Sequence, residues 1–278
     1  IYSIINPNRF DENSKLKDLA AVGVTFLFIM GLRKILRENN YFDDKKSEPN
    51  LLGNLDLVAL GTVCDVVNLS DYNRNFIIKG LEIIKKRTHK GISQIIDNSN
   101  INHSPTATDL SFIVGPQLNA ASRVDDSSLS HKLLISDNLI EIETITKKIF
   151  LLNEKRKLIE SNIYDQALEQ AKKQVNKKFL LVYGLGWHKG VLGIIASRLV
   201  EKFNKPAIVI SFDQNIGIGS ARSIKQIDLG NIVLFAKQGG LLLSGGGHKM
   251  AAGLKIHKNL LDEFHQYLLK SFEQFSQS

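Results

Sequence analysis

The sequence has 278 residues, 43% hydrophobic and 23% charged, a balance that fits a globular chain long enough for two domains. A single cysteine, Cys64, excludes a disulfide framework and points to a reducing compartment. The longest apolar run, Leu19 to Leu32, is too short to span a bilayer, so no membrane partner and a cytoplasmic location are expected. The formal charge of +8 fits either a polyanionic partner or an ordinary solvated basic surface. The first residue is Ile1 rather than methionine, and the chain opens on strand-like IYSIINP, so an upstream segment is expected.

In chain order, Ile1 to Ile5 reads as a strand closed by Asn6-Pro7, and Leu16 to Asn39 has helical spacing. Leu51 to Leu69 is an apolar block read as a strand running into a Gly-Thr turn before Asp65. A helix follows from about Asn73 to Arg87, then a polar loop over Asp97 to Ser104, then Thr108 to Val114 ahead of Gly115-Pro116. Leu139 to Asn176 reads as one long helix, because Leu139, Ile142, Ile145, Ile149, Leu152, Ile159, Ile163 and Ala167 recur at steps of three, four or seven. Beyond it, strands at Phe179 to Tyr183, Ala207 to Phe212 and Ile216 to Ser220 alternate with a helix at Val191 to Phe203. That alternation is the mark of an α/β domain. A strand at 241–243 is expected to feed a glycine loop, and Leu260 to Phe275 closes the chain as a helix.

Five stretches carry candidate chemistry. In LLLSGGGHKMAAGL, three glycines precede His248. A helix opening just after them would offer free N–H groups to a phosphate, with Gly246, Gly247 and His248 at the junction; the alternative is a plain tight turn. Asp65 at a strand end is either a ligand for a hard divalent cation or a helix N-cap. In GPQLNAASR, Asn119 and Arg123 share a helical face, and Arg123 is either a phosphate clamp or a surface arginine. In WHKGVLGIIASR, Trp187 is either a base-stacking platform or core, His188 a ligand or a structural donor, and Gly193 to Arg198 start a helix with small residues. In GIGSARS, Ser220 and Ser223 flank Arg222 at the end of a strand, a usual way to hold a terminal phosphate.

Taken together, INPNR with LAAVGVTF, LDLVALGTVCDVVNL, GPQLNAASR, GWHKGVLGIIASRLVEKF, GSARS and GGGHKMAAG resemble the blocks of the RecJ family. These are single-strand-specific 5′→3′ DNA exonucleases of the DHH phosphoesterase superfamily. The resemblance implies an α/β fold: the rear part of a DHH domain over 1–136, a long connector helix over 137–177, and a DHH-associated nucleic-acid-binding domain over 178–278. It implies two Mn²⁺ or Mg²⁺ ions, a metal-activated water, and single-stranded DNA with a 5′ end as partner. It assigns Asp65 as the last metal aspartate, Arg123 with Asn119 to the DNA phosphate, Ser220, Arg222 and Ser223 to the 5′-phosphate pocket, and Gly246, Gly247 and a catalytic His248 to the cleft.

The chain departs from that pattern. It has no Asp-x-Asp and no Asp-His-His, so the dinuclear site is incomplete, and one carboxylate cannot hold two ions. Gln117, Cys64 and Ser122 stand where the family often has arginine, alanine and glycine. The expectation is therefore a chain inactive alone and lacking the family's oligonucleotide-binding domain, with a separate chain as a possible source of the missing half. The alternatives are a non-catalytic nucleic-acid-binding remnant, a relative acting on short RNA or cyclic dinucleotides, and a tRNA-editing use of the glycine-rich domain.

Overall fold

The computed structural model describes residues 3–9 and 11–275. The chain divides into two compact units, Ile1–Asn153 and Glu154–Ser278. Among the described residues, every strand of the named sheet lies in the second unit.

The first unit is helical: α1 (Ala21–Glu38), α2 (Leu55–Cys64), α3 (Asp71–Lys85), α4 (Lys90–Asn98), the short α5 (Ala107–Asp109), α6 (Gly115–Val124), α7 (Ser128–Ile135) and the first part of α8 (Leu139–Lys172). Local chemistry starts several of these. The His89 ring accepts from the Ile92 N–H at the head of α4, and Thr106 with Asp109 forms a reciprocal capping box at α5. A single wide turn of π-helix, Leu110–Val114, joins α5 to α6.

Three expectations fail in this unit. Ile1 and Tyr2 of the proposed first strand lie outside the described residues, and Ser3 to Asn6 form no strand. The expected helix from Leu16 begins at Ala21, because the chain before it is spent in turns such as Leu19 N–H to Leu16 O. The apolar block before Asp65 is α2, not a strand. LDLVALGTVC is buried on nearly every side through Leu55, Asp56, Val58, Ala59, Leu60 and Thr62. An apolar run without a polar face cannot be told from a buried strand by periodicity. Gly80 of α3 allows the close approach: a Cβ there would sit 2.2 Å from the Leu55 carbonyl and 2.3 Å from Ala59 Cβ.

The second unit is a three-layer α/β sandwich. Its sheet has the order β1-β2-β3-β5-β4, with β1 (Leu180–Leu185), β2 (Ala207–Asp213), β3 (Ile216–Arg222), β4 (Ser244–His248) and β5 (Ala251–His257). Only β1 and β2 pair in parallel, across the crossover helix α9 (Leu192–Phe203); the other pairs are antiparallel. One face packs on α10 (Leu229–Gln238) and α11 (Leu261–Phe275) through Phe179, Ile208, Ile210, Leu254, Ile256, Ile232 and Phe264. The other packs on α9 and the later turns of α8 through Leu180, Val182, Val209, Ile195, Leu199, Ile163 and Ala167.

The β1 edge is covered by side chains of α8 and of the turn just after it. Gln170 accepts from the Tyr183 N–H at 3.0 Å and donates to the Tyr183 carbonyl at 2.7 Å. Gln174 does the same for Leu181, at 3.1 and 2.8 Å. One helical turn spans nearly the same rise as two strand residues, so amides four apart meet backbone groups two apart. Gln166, a turn earlier, accepts from the buried Trp187 indole N–H at 3.1 Å.

The glycine-rich stretch differs from expectation. Leu241 to Leu243 are not a strand, and no helix follows the glycines; SGGGH is itself edge strand β4, turning tightly into β5. Glycine lets β4 pack closely: a Cβ on Gly247 would lie 2.2 Å from the Ala251 carbonyl at the turn into β5, and one on Gly245 would lie 2.7 Å from Val233 of α10. No helix opens after His248; the helix start that lies against it is that of α10, where a Cβ on Gly230 would stand 3.0 Å from His248 Cα.

Candidate nucleic-acid interface

Strand register places Arg222, Ser220, Gly246 and His248 on one face, and Gly247, paired with Ala252, on the other. Directly paired residues share a face. One row therefore holds Arg222, Ala251 and His248, and the next holds Ser220, Gly253 and Gly246. Beyond β3 this face is floored by small residues and is largely exposed at β4. Gly246 and Gly253 both have open space where a Cβ would stand.

Arg222 is the electrostatic centre. Its guanidinium Nη1 donates to Ser220 Oγ at 3.2 Å and to the Ala221 carbonyl at 2.9 Å. Burial holds its pKa below the usual arginine value. The second unit contains three arginines, and the other two share one carboxylate: Arg156 and Arg198 contact Glu160 at 2.6 and 3.1 Å, with Arg198 also stacked on Tyr164. Arg222 has no such partner among the described residues. Instead it lies against the first turn of α9, where the helix dipole is positive and the cap residue Val191 supplies no side-chain hydrogen bond. A desolvated cation at a helix N-terminus is unfavourable by itself and becomes favourable once an anion sits between them. Guanidinium, hydroxyl and helix start together present donors of the kind a charge-assisted anion site uses.

The remaining candidates take different roles. The Ser223 hydroxyl is buried and donates to the Ile227 carbonyl at 2.9 Å, so it holds the loop after β3. His248 is exposed; its Nδ1 accepts from the Met250 N–H at 3.3 Å, which leaves Nε2 as the outward N–H of the neutral ring. Asp65 caps the C-terminus of α2, not the start of a helix, and its carboxylate is exposed. Val66 after it turns the chain with φ 54°, a strained value for a β-branched residue. Asn119 and Arg123 share helix α6, Asn119 exposed and Arg123 half-buried. Asp65, Asn119 and Arg123 thus belong to the first unit, and the Arg222 face to the second.

No group of three or more His, Cys, Asp or Glu side chains among the described residues could hold a metal ion. A lone exposed Asp65 does not fit a dinuclear centre, which needs several oxygen or imidazole ligands converging on each ion.

Sequence reasoning missed the partners that shape the site. Gly193 touches Arg222 across 29 residues of chain, and Gly253 enters only through pairing with Ser220. The glutamines at 166, 170 and 174 stand in the sequence as a four-residue repeat, the last of them just past the end of α8.

Fold and site define a class: an α/β module whose sheet face gathers Arg222, Ser220 and the start of α9, preceded in the chain by a long helix and a helical unit. Residues 176–274 match the DHHA1 domain. The single-stranded-DNA-specific exonuclease RecJ of Dickeya dadantii is 39% identical over 275 residues, covering 95% of this chain and 48% of that protein. The crystal structures of RecJ from Thermus thermophilus with Mn²⁺ and with Mg²⁺ superpose at TM-scores of 0.78 and 0.79. Identities are 28% and 26%, with 91% and 97% of this chain covered and 36% and 39% of those chains. The chain is homologous to RecJ along nearly all its length, and it spans about half the length of the curated relatives it matches. No helix among the described residues is long and apolar enough to cross a membrane.

Proposed function

We propose that this chain binds the phosphorylated 5′ end of single-stranded DNA, with Arg222 and Ser220 taking the terminal phosphate. In this reading it serves a RecJ-type 5′→3′ exonuclease of repair and recombination in the cytoplasm. Residues 1–136 are the rear of a DHH domain, 137–177 the connector and 178–278 the DHH-associated domain. Asn119 and Arg123 contact the strand's phosphates, and Gly246, Gly247 and His248 border its path. Asp65 is one carboxylate of a divalent-cation centre whose other ligands lie outside these residues, so the hydrolytic step has no assignment within them. The observation that carries the reading is the half-buried Arg222 guanidinium, without a carboxylate partner among the described residues, set against the start of α9.

The test is fluorescence anisotropy of the pure chain with a short single strand bearing either a 5′-phosphate or a 5′-hydroxyl. The phosphorylated strand should bind more tightly, and Arg222→Ala should weaken it about 10- to 100-fold, the worth of a charge-assisted contact, while abolishing the difference between the strands. Equal binding of both strands by the unmodified chain overturns the reading. The same preparation with Mn²⁺ should release no mononucleotides.

A further inference from the structure

Gly193, in the first turn of α9, has Arg222 and Ser220 as the nearest atoms to the place a side chain would occupy. A Cβ built there would stand 2.9 Å from Arg222 Nη2, 3.1 Å from Ser220 Oγ and 3.5 Å from Arg222 Cζ, its three nearest neighbours. Other glycines of this unit face the core instead: a Cβ on Gly184 would meet the Trp187 ring at 2.1 Å, and one on Gly219 would meet Leu254 at 2.9 Å. Gly193 has ordinary helical backbone, since only Gly186 and Gly240 among the described glycines have positive φ. Neither backbone geometry nor core packing therefore demands glycine at this position. Alanine is the better helix former at an ordinary helical backbone position, so the contact with Arg222 and Ser220 is the feature that sets Gly193 apart.

We propose that Gly193 is a positioning residue for phosphate recognition. By presenting no side chain, it lets the Arg222 guanidinium lie across the first turn of α9 within reach of Ser220. The inference rests on the reading of Arg222 and Ser220 as the terminal-phosphate site. A methyl at 193 would meet the mobile end of Arg222 before any backbone, so the arginine swings away and the helix stays. Guanidinium, hydroxyl and helix start would then no longer converge on one anion.

The test is Gly193→Ala in the full chain, with 5′-phosphorylated and 5′-hydroxyl single strands as probes and thermal melting alongside. A helix-compatible Gly→Ala change holds or raises Tm. The expected result is an unchanged or higher Tm, unchanged affinity for the 5′-hydroxyl strand, and a loss of about 10-fold in affinity for the phosphorylated strand, as when one charge-assisted contact is displaced. Stability and phosphate recognition thus move apart, which a merely structural glycine would not produce. Unchanged discrimination in Gly193→Ala overturns the inference, and so does a clear fall in Tm. Arg222→Ala separates the two failures. If it abolishes discrimination while Gly193→Ala does not, only the role of Gly193 falls; if neither does, the phosphate site falls with it.

Discussion

The two edges of the second unit's sheet are treated in opposite ways. At β1, Gln170 and Gln174 satisfy the outward N–H and C=O of Tyr183 and Leu181, so those groups are not offered to a passing strand. At β4 the edge is SGGGH, exposed along most of its length and without side chains over three consecutive residues. The sealed edge carries bulky apolar residues such as Leu185 and Tyr183, where stray pairing would be costly. The open edge lies in the same strand rows as Ser220 and Arg222, the residues proposed to take the terminal phosphate. One sheet thus separates stability from recognition by closing one side and leaving the other bare.

The largest expected effect that sharpens this contrast is the Gln170→Ala, Gln174→Ala double change. Losing four hydrogen bonds at β1 should cost about 2–3 kcal/mol, read as a drop in Tm, and should promote self-association on size exclusion. Discrimination between 5′-phosphate and 5′-hydroxyl strands should survive; if it is lost, the two edges are not independent. Next comes a pair of alanine changes within β4. Gly247→Ala meets backbone and should destabilise by about 1–3 kcal/mol, whereas Gly246→Ala points into open space and should stay within about 0.5 kcal/mol of the parent. Equal melting temperatures for the two would break the reading of β4 as packed on one side and bare on the other.

The smallest effect concerns the opposite face of the sheet, through α11. Burial, aided by Lys177 and opposed by Asp262, holds the His265 imidazole below its ordinary pKa, and its Nε2 is buried without a hydrogen-bond partner. The folded state therefore resists protonation that the unfolded chain accepts. Stability is retained above the ordinary histidine value of 6.5 and is lost as pH falls from there toward the depressed folded value. His265→Gln should flatten the fall in Tm between about pH 7.5 and pH 5.5 without altering strand binding. An unchanged pH slope would remove His265 from that account.

Much of the architecture was legible because local patterns agreed with the fold. The apolar recurrence from Leu139 predicts a helix to Asn176, and α8 runs to Lys172. The alternation after Phe179 predicts the βαβ start of the second unit's sheet, which follows within two residues. The stretches that misled share one property: burial or small size on all sides removes the periodic contrast. LDLVALGTVC reads as a strand yet folds as α2 because both readings bury the same residues. SGGGH reads as a loop yet is a strand because its partner β5 supplies the hydrogen bonds and small neighbours that glycine cannot specify alone.

What the sequence determined by itself was the inventory: residue types able to hold a phosphate, the absence of an Asp-x-Asp or Asp-His-His motif, and helices and strands with a clear apolar period. Those are local properties, written in spacing and side-chain chemistry. Tertiary structure decided which of them meet. Strand register put Ser220 and Arg222 in rows with Gly253, Gly246 and His248, and the crossover helix brought Gly193 onto the guanidinium. Register and crossover geometry are set by the packing of the whole sheet, so contacts that distant in the chain arise only when the unit has folded.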